Sequence, residues 1–209
     1  MIRKEHREEK WNFAFVEYVC EESEKKLPLI IQLHGAGERG NGTDELDKVL
    51  VHGFPNIVND ENLKDCILIM PQCACDSFWV ARIESIKKFI DRAIEEFSVD
   101  TDRVYLCGIS MGGYGTWNTA MAFPDMFAAI APCCGGGMAW NAGVLTMPVW
   151  AWHGAEDGVV SPVQSDEMVE SLKAQGKDVT YSRVEGVGHN VWENAYTEEL
   201  LNWFLSKKR

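Results

Sequence analysis

Short, nearly continuous apolar runs alternate along this chain with longer stretches whose apolar positions recur every three or four residues. The short runs fall at residues 12–20, 29–33, 66–70, 103–109, 128–131, 149–153 and 179–184, and each has the length and side-chain character of a β-strand. A charged turn over 21–26 separates the first two. Several runs lack the polar-apolar alternation of a half-exposed strand, as expected of parallel strands covered on both faces. Between them, Ile83, Ile86, Ile90, Ile94 and Phe97 mark one face of a helix over about 79–97. A second helix is predicted over 111–122, closed by Phe123-Pro124. A third has Ser161 as N-cap and Pro162 at its first position and ends at Gly176. The last, over about 194–206, would bury Tyr196, Leu200, Trp203 and Phe204. Alternating strands and helices predict an α/β fold of three layers, a mostly parallel sheet with helices on both faces. Without a repeat or linker, residues 1–209 are expected to form a single domain, of which 1–10 is a charged N-terminal segment.

Composition narrows the function. No window approaches the roughly 18–20 apolar residues of a membrane helix, and the charged N-terminus lacks the apolar core of a signal peptide, so a cytoplasmic protein is expected. The net charge of −12 argues against nucleic acid or an anionic membrane as partner. Lys207-Lys208-Arg209 is the one concentrated basic run and is read as complementing the end of the last helix. Cys20, Cys66, Cys73, Cys75, Cys107, Cys133 and Cys134 make an odd set, which suggests free thiols. Neither Cys73-Ala74-Cys75 nor Cys133-Cys134 has zinc-site spacing or a nearby histidine, so no metal and no cofactor is expected.

The chemistry centres on Gly108-Ile109-Ser110-Met111-Gly112. It matches G-x-S-x-G and sits directly between the 103–109 strand and the 111–122 helix. A serine on so tight a turn needs glycines where side chains would strike the strand or helix, and the helix N-terminus favours a developing oxyanion. Ser110 needs a base held by a third group. His189, in Gly186-Val187-Gly188-His189-Asn190 after the 179–184 strand, fits best. His34 and His153 end strands before glycine and are read as answering to backbone geometry. Chain order places the acid between serine and histidine, which makes Asp157 the leading candidate and Glu156 the runner-up. The backbone N–H groups of Met111 and of Ala36, in the loop His34-Gly35-Ala36-Gly37, are expected to form the oxyanion hole.

Together LHGAGERGNG, DRVYLCGISMGGYGTW, FPDMFAAIAPCCGG, VWAWHGAEDGVV and VGHNVWENAY resemble the α/β-hydrolases described as predicted peptidase, phospholipase/carboxylesterase or dienelactone-hydrolase-like, over about residues 11–205. The resemblance implies the α/β-hydrolase fold, with Ser110 as nucleophile, Asp157 as acid, His189 as base, and Ala36 and Met111 at the oxyanion hole. Gly135-Gly136-Gly137 in the short 132–148 connection cannot build a cap, so an open site without a lid domain is predicted. Trp79 and Trp192 are candidates to stack on a sugar or aromatic acyl group, packing between core and loop being the other reading of each. The expected substrate is a small-molecule or sugar-linked carboxylic ester. A serine peptidase or thioesterase using the same triad is the alternative, and a non-catalytic binding protein is the reading from another class.

Overall fold

The computed structural model describes residues 1–19, 25–63 and 66–209. Its strands are β1 (Ile2–His6), β2 (Phe15–Val19), β3 (Leu27–Leu33), β4 (Ile67–Pro71), β5 (Val99–Ile109), β6 (Ala129–Cys133), β7 (Val149–Gly154) and β8 (Val179–Val184). They form one sheet in the order β1-β2-β4-β3-β5-β6-β7-β8. Every pairing from β4 through β8 is parallel, whereas β1 and β2 are antiparallel at one edge. Most of the predicted 21–26 turn, and Cys20, lie outside the described residues. The strands flanking that turn are not sheet neighbours, because β4 lies between them.

Side-chain alternation divides the core in two. Leu29, Ile31, Leu33, Val104, Leu106 and Ala151 face α1 (Ile83–Glu96), α2 (Met111–Ala122) and α3 (Val163–Ala174). Ile30, Tyr105, Cys107, Ile109 and Trp152 face α4 (Trp192–Ala195), α5 (Glu198–Leu205) and the short helical turns near Leu46 and Phe54. The three layers of an α/β-hydrolase are therefore present. The 134–148 connection carries only a 3-10 helix, Ala139–Val144, and no lid.

Several predicted elements differ, among them the third helix, which runs Val163–Ala174 with Pro162 rather than Ser161 at the N-cap and no side-chain cap bond. The N-terminal segment is charged yet forms β1, because an edge strand needs ladder partners but little burial, and four of its five side chains are exposed. The helix expected over 194–206 is broken. Tyr196 leaves helical geometry to sit edge-on against Phe54, and Thr197, in extended conformation, starts α5 afresh. In α1, residues Trp79–Ala81 form a separate 3-10 turn before the helix begins at Ile83. Among the described residues, no helix is long and apolar enough to cross a membrane.

Strand order locates the crevice. After β3 the chain moves outward to β4, then returns to place β5 on the other side of β3. Loops leaving the carboxyl ends of β3 and β5 thus diverge, which opens a cleft where such sheets bind ligands. Gly35-Ala36 follows β3, and Ser110 follows β5.

Candidate active site

Ser110 is the pivot between β5 and α2, with φ 53° and ψ −112°. A non-glycine residue in this region is strained and must be held by its surroundings. Here the Ser110 N–H donates to the Cys133 carbonyl at 2.9 Å, and its own carbonyl accepts from Tyr114 N–H at 3.0 Å. The flanking glycines permit the approach of strand, helix and loop. A Cβ at Gly108 would lie 2.3 Å from the Gly112 carbonyl oxygen, and one at Gly112 would lie 2.0 Å from that of Leu33.

The structure brings Ser110, His189 and Asp157 together from three strand ends. His189 Nε2 lies 3.0 Å from Ser110 Oγ, and its Nδ1 lies 2.7 Å from Asp157 Oδ2. The other carboxylate oxygen, Asp157 Oδ1, accepts from the N–H groups of Val159 and Val160 at 2.8 and 2.9 Å. Burial would raise the Asp157 pKa, but the His189 contact and the Val160 and Val159 N–H groups outweigh it, so the carboxyl stays below its ordinary value. A buried carboxylate holding Nδ1–H leaves Nε2 bare to accept the serine proton. Glu156 is exposed; its backbone N–H instead ties the loop to the Val187 carbonyl.

Opposite the serine lies the loop after β3. A Cβ at Gly35 would be in ordinary van der Waals contact with Ser110 Cβ, 3.7 Å away, so the loop lies directly alongside the serine. Ala36 opens the 3-10 helix Ala36–Glu38 and Met111 opens α2, so neither N–H has an acceptor within its own helix. Met111 directly follows Ser110 in the chain, and Ala36 directly follows Gly35.

His34 and His153 are more than strand ends. The His34 Nδ1–H donates to the Gly35 carbonyl at 2.6 Å, and Nε2 accepts from Cys73 N–H at 2.9 Å. His34 therefore shapes the loop that carries Ala36. His153 lies beneath the acid loop, with Nδ1 2.7 Å from Ser165 Oγ and Nε2 3.0 Å from the Val160 carbonyl. The signal for both was a buried polar ring at a strand end, one residue before a loop that must hold a fixed shape.

Burial lowers the His34 pKa from 6.5 to about 4. The unfolded chain then takes up a proton at higher pH than the native one, so stability is present above pH 6.5 and falls as pH drops toward 4. At 1.36 kcal/mol per pKa unit the loss is about 2 kcal/mol by pH 5 and about 3 kcal/mol at pH 4. Denaturant midpoints across that range should fall accordingly, and His34→Asn should flatten the slope. An unchanged slope in the variant would refute the assignment.

The two tryptophans part company. Trp79 is fully buried, and its indole N–H donates to the His34 carbonyl at 2.9 Å. Its ring packs against Phe13 and has no face to offer a substrate. The expectation of substrate stacking at Trp79 is corrected; it buttresses the loop after β3. Trp192 is partly exposed, edge-on to His189 with ring centroids 5.4 Å apart, and 4.9 Å from the His52 ring. It also lines a 430 Å³ groove with Val51, His52, Ile57 and Glu193.

With this fold and geometry in place, comparison with known proteins gives the class. The phospholipase/carboxylesterase family model matches residues 77–205, and the chain belongs to that family. Over 101 residues it is 32% identical to a bifunctional acetylxylan esterase/xylanase of Neocallimastix patriciarum, covering 48% of this chain and 14% of that protein. Over 155 residues it is 30% identical to poly(3-hydroxyalkanoate) depolymerase C of Paucimonas lemoignei, covering 57% and 37%. A solved thermostable esterase superposes with a TM-score of 0.86 at 27% identity, across all of this chain and 63% of that one. The chain thus spans less than two thirds of the length of each of these relatives.

Proposed function

We propose that this protein is a serine hydrolase that cleaves carboxylic esters through an acyl-enzyme on Ser110. The observation that carries the reading is the continuous contact from Ser110 Oγ through His189 to the buried Asp157 carboxylate. In this reading His189 Nε2 takes the Ser110 proton as Oγ attacks the ester carbonyl, and the imidazolium formed is held by Asp157. The oxyanion settles against the N–H groups of Met111 and Ala36. Nε2–H then protonates the departing alcohol, and water enters by the reverse sequence to free the acid.

A small or sugar-linked ester fits this site best. Among the described residues no cap domain follows β6, and Val159, beside Asp157, is 74% exposed, so a substrate that projects into solvent can enter without a closing motion. Trp192 and the groove behind it offer an aromatic wall on the His189 side. Glu38, in the loop after β3, has a carboxylate oxygen 2.9 Å from where a Cβ would stand at Gly35 and faces His52 at 3.9 Å. Together with Glu193 on the groove and the overall charge of −12, it disfavours anionic esters and favours release of the carboxylate product.

The test compares p-nitrophenyl acetate and longer acyl esters with thioesters and matched peptide anilides. Labelling by a fluorophosphonate is followed in the same samples. Ester turnover should exceed anilide turnover, with label incorporated at Ser110. Preference for the anilide would replace ester cleavage by peptidase chemistry, and folded protein that neither labels nor turns over would reject catalysis.

A further inference from the structure

Beside the triad stands a side chain for which ester hydrolysis has no use. Cys134 follows β6, is wholly buried, and has φ 41°, in the left-handed region that side chains rarely adopt. Its backbone N–H is pinned to the Trp152 carbonyl at 2.8 Å, which fixes the turn. The result is a thiol within 4.8 Å of ligand atoms on both Asp157 and His189. Sulfur, imidazole nitrogen and carboxylate oxygen converge there from three different loops.

We propose that Cys134, Asp157 and His189 form a capture site for a thiophilic divalent cation, typified by Zn2+, and that its occupation switches the hydrolase off. This donor set suits zinc, which takes thiolate, imidazole and carboxylate ligands and leaves a fourth position to water. Metal–ligand bonds of about 2.0–2.3 Å at tetrahedral angles require ligand atoms about 3.3–3.7 Å apart. The 2.7 Å contact between His189 Nδ1 and Asp157 must therefore open by under about 1 Å, a swing available to a loop side chain that is 20% exposed. Binding replaces the thiol proton by a Zn–S bond and releases that proton to solvent. The Nδ1 lone pair goes to the metal, so the neutral ring carries its proton on Nε2. A protonated Nε2 cannot accept from Ser110, and the first step stops.

Only the inhibitory consequence rests on the proposed hydrolase function; capture of the ion does not. The experiment therefore reads both. Chelator-treated protein is titrated with Co2+ while the thiolate-to-cobalt charge-transfer absorption is followed, and with Zn2+ while p-nitrophenyl acetate hydrolysis is followed. Each rate is divided by the same variant's metal-free rate. The absorption band should form in the unaltered protein and in Ser110→Ala, whose lost hydroxyl is not a ligand, and should be missing in Cys134→Ala and Cys134→Ser. Zinc should inhibit reversibly, with EDTA restoring the rate, and the half-inhibiting concentration should rise at least about tenfold in either Cys134 variant. Cys75→Ser, which removes an exposed thiol elsewhere, should leave the band in place. A band that survives in folded Cys134→Ala, or zinc inhibition that is the same in both Cys134 variants as in the parent, overturns the proposal. A band that depends on Cys134 in a protein inert toward every ester keeps the ion site and removes the hydrolase reading instead.

Discussion

Replacing Ser110 with alanine should lower kcat on p-nitrophenyl acetate by about ten-thousand- to a million-fold, with the melting temperature almost unchanged. The magnitude follows from the way linked triad members act as a unit, where loss of the nucleophile leaves only what the oxyanion donors and substrate positioning supply. Stability should survive because the Ser110 hydroxyl faces His189 and caps nothing. No side-chain cap bond joins it to α2, and the turn is held by backbone bonds to Cys133 and Tyr114 that alanine retains. Alanine also tolerates the strained φ as well as serine does. The assay is a steady-state rate on protein purified from a host strain free of background esterase, beside a thermal melt. Substantial residual turnover in correctly folded Ser110→Ala would remove this serine from the chemistry.

Gly112→Ala should damage both stability and rate. The added Cβ would stand 2.0 Å from the Leu33 carbonyl oxygen and 2.9 Å from that of His34, both main-chain atoms that cannot rotate aside. Either α2 or the end of β3 must retreat, and between them lie Met111 and the Gly35-Ala36 loop. Overpacking of this kind costs about 1–3 kcal/mol, sometimes more. A displacement near 1 Å at a reacting centre costs about a hundredfold in rate. Gly37→Ala in the same loop is the control, because a Cβ there meets nothing within 4 Å and both readouts should stay near the parent values. Denaturant midpoints and kcat measured on the two variants check the contrast. Equal behaviour of the pair would mean that helix and strand do not meet at Gly112 as closely as described.

Much of the fold was legible in local pattern. The 111–122 helix and the 179–184 strand have the boundaries that periodicity predicts, and the three-layer arrangement follows from alternating elements. Misreadings came where tertiary contacts overrode local signals. Apolar spacing ran through Tyr196 because that residue is buried, but it is buried against Phe54 by leaving the helix, which spacing alone does not distinguish. The charged residues of β1 hid a strand, since an edge position asks for hydrogen-bond partners and not for apolar side chains.

At the site the division is sharper. Gly108-Ile109-Ser110-Met111-Gly112, set between a strand-like run and a helical one, announced its own turn, because glycines at 108 and 112 remove the side chains that would strike the helix and the end of β3. Chain order narrowed the acid to Asp157 with Glu156 as runner-up, and the glycine-bearing loop after the 179–184 strand nominated His189; it was the fold that turned Asp157 inward and left Glu156 exposed. Sequence could not reveal that Trp79 faces inward beneath the His34 carbonyl while Trp192 stands against the His189 ring. Nor could it place Cys134 beside a histidine 55 positions away. Those facts depend on which strands lie side by side and on where their loops turn, and both are settled by long-range packing. Local chemistry wrote the elements and the elbow; the sheet order decided which distant side chains meet above it.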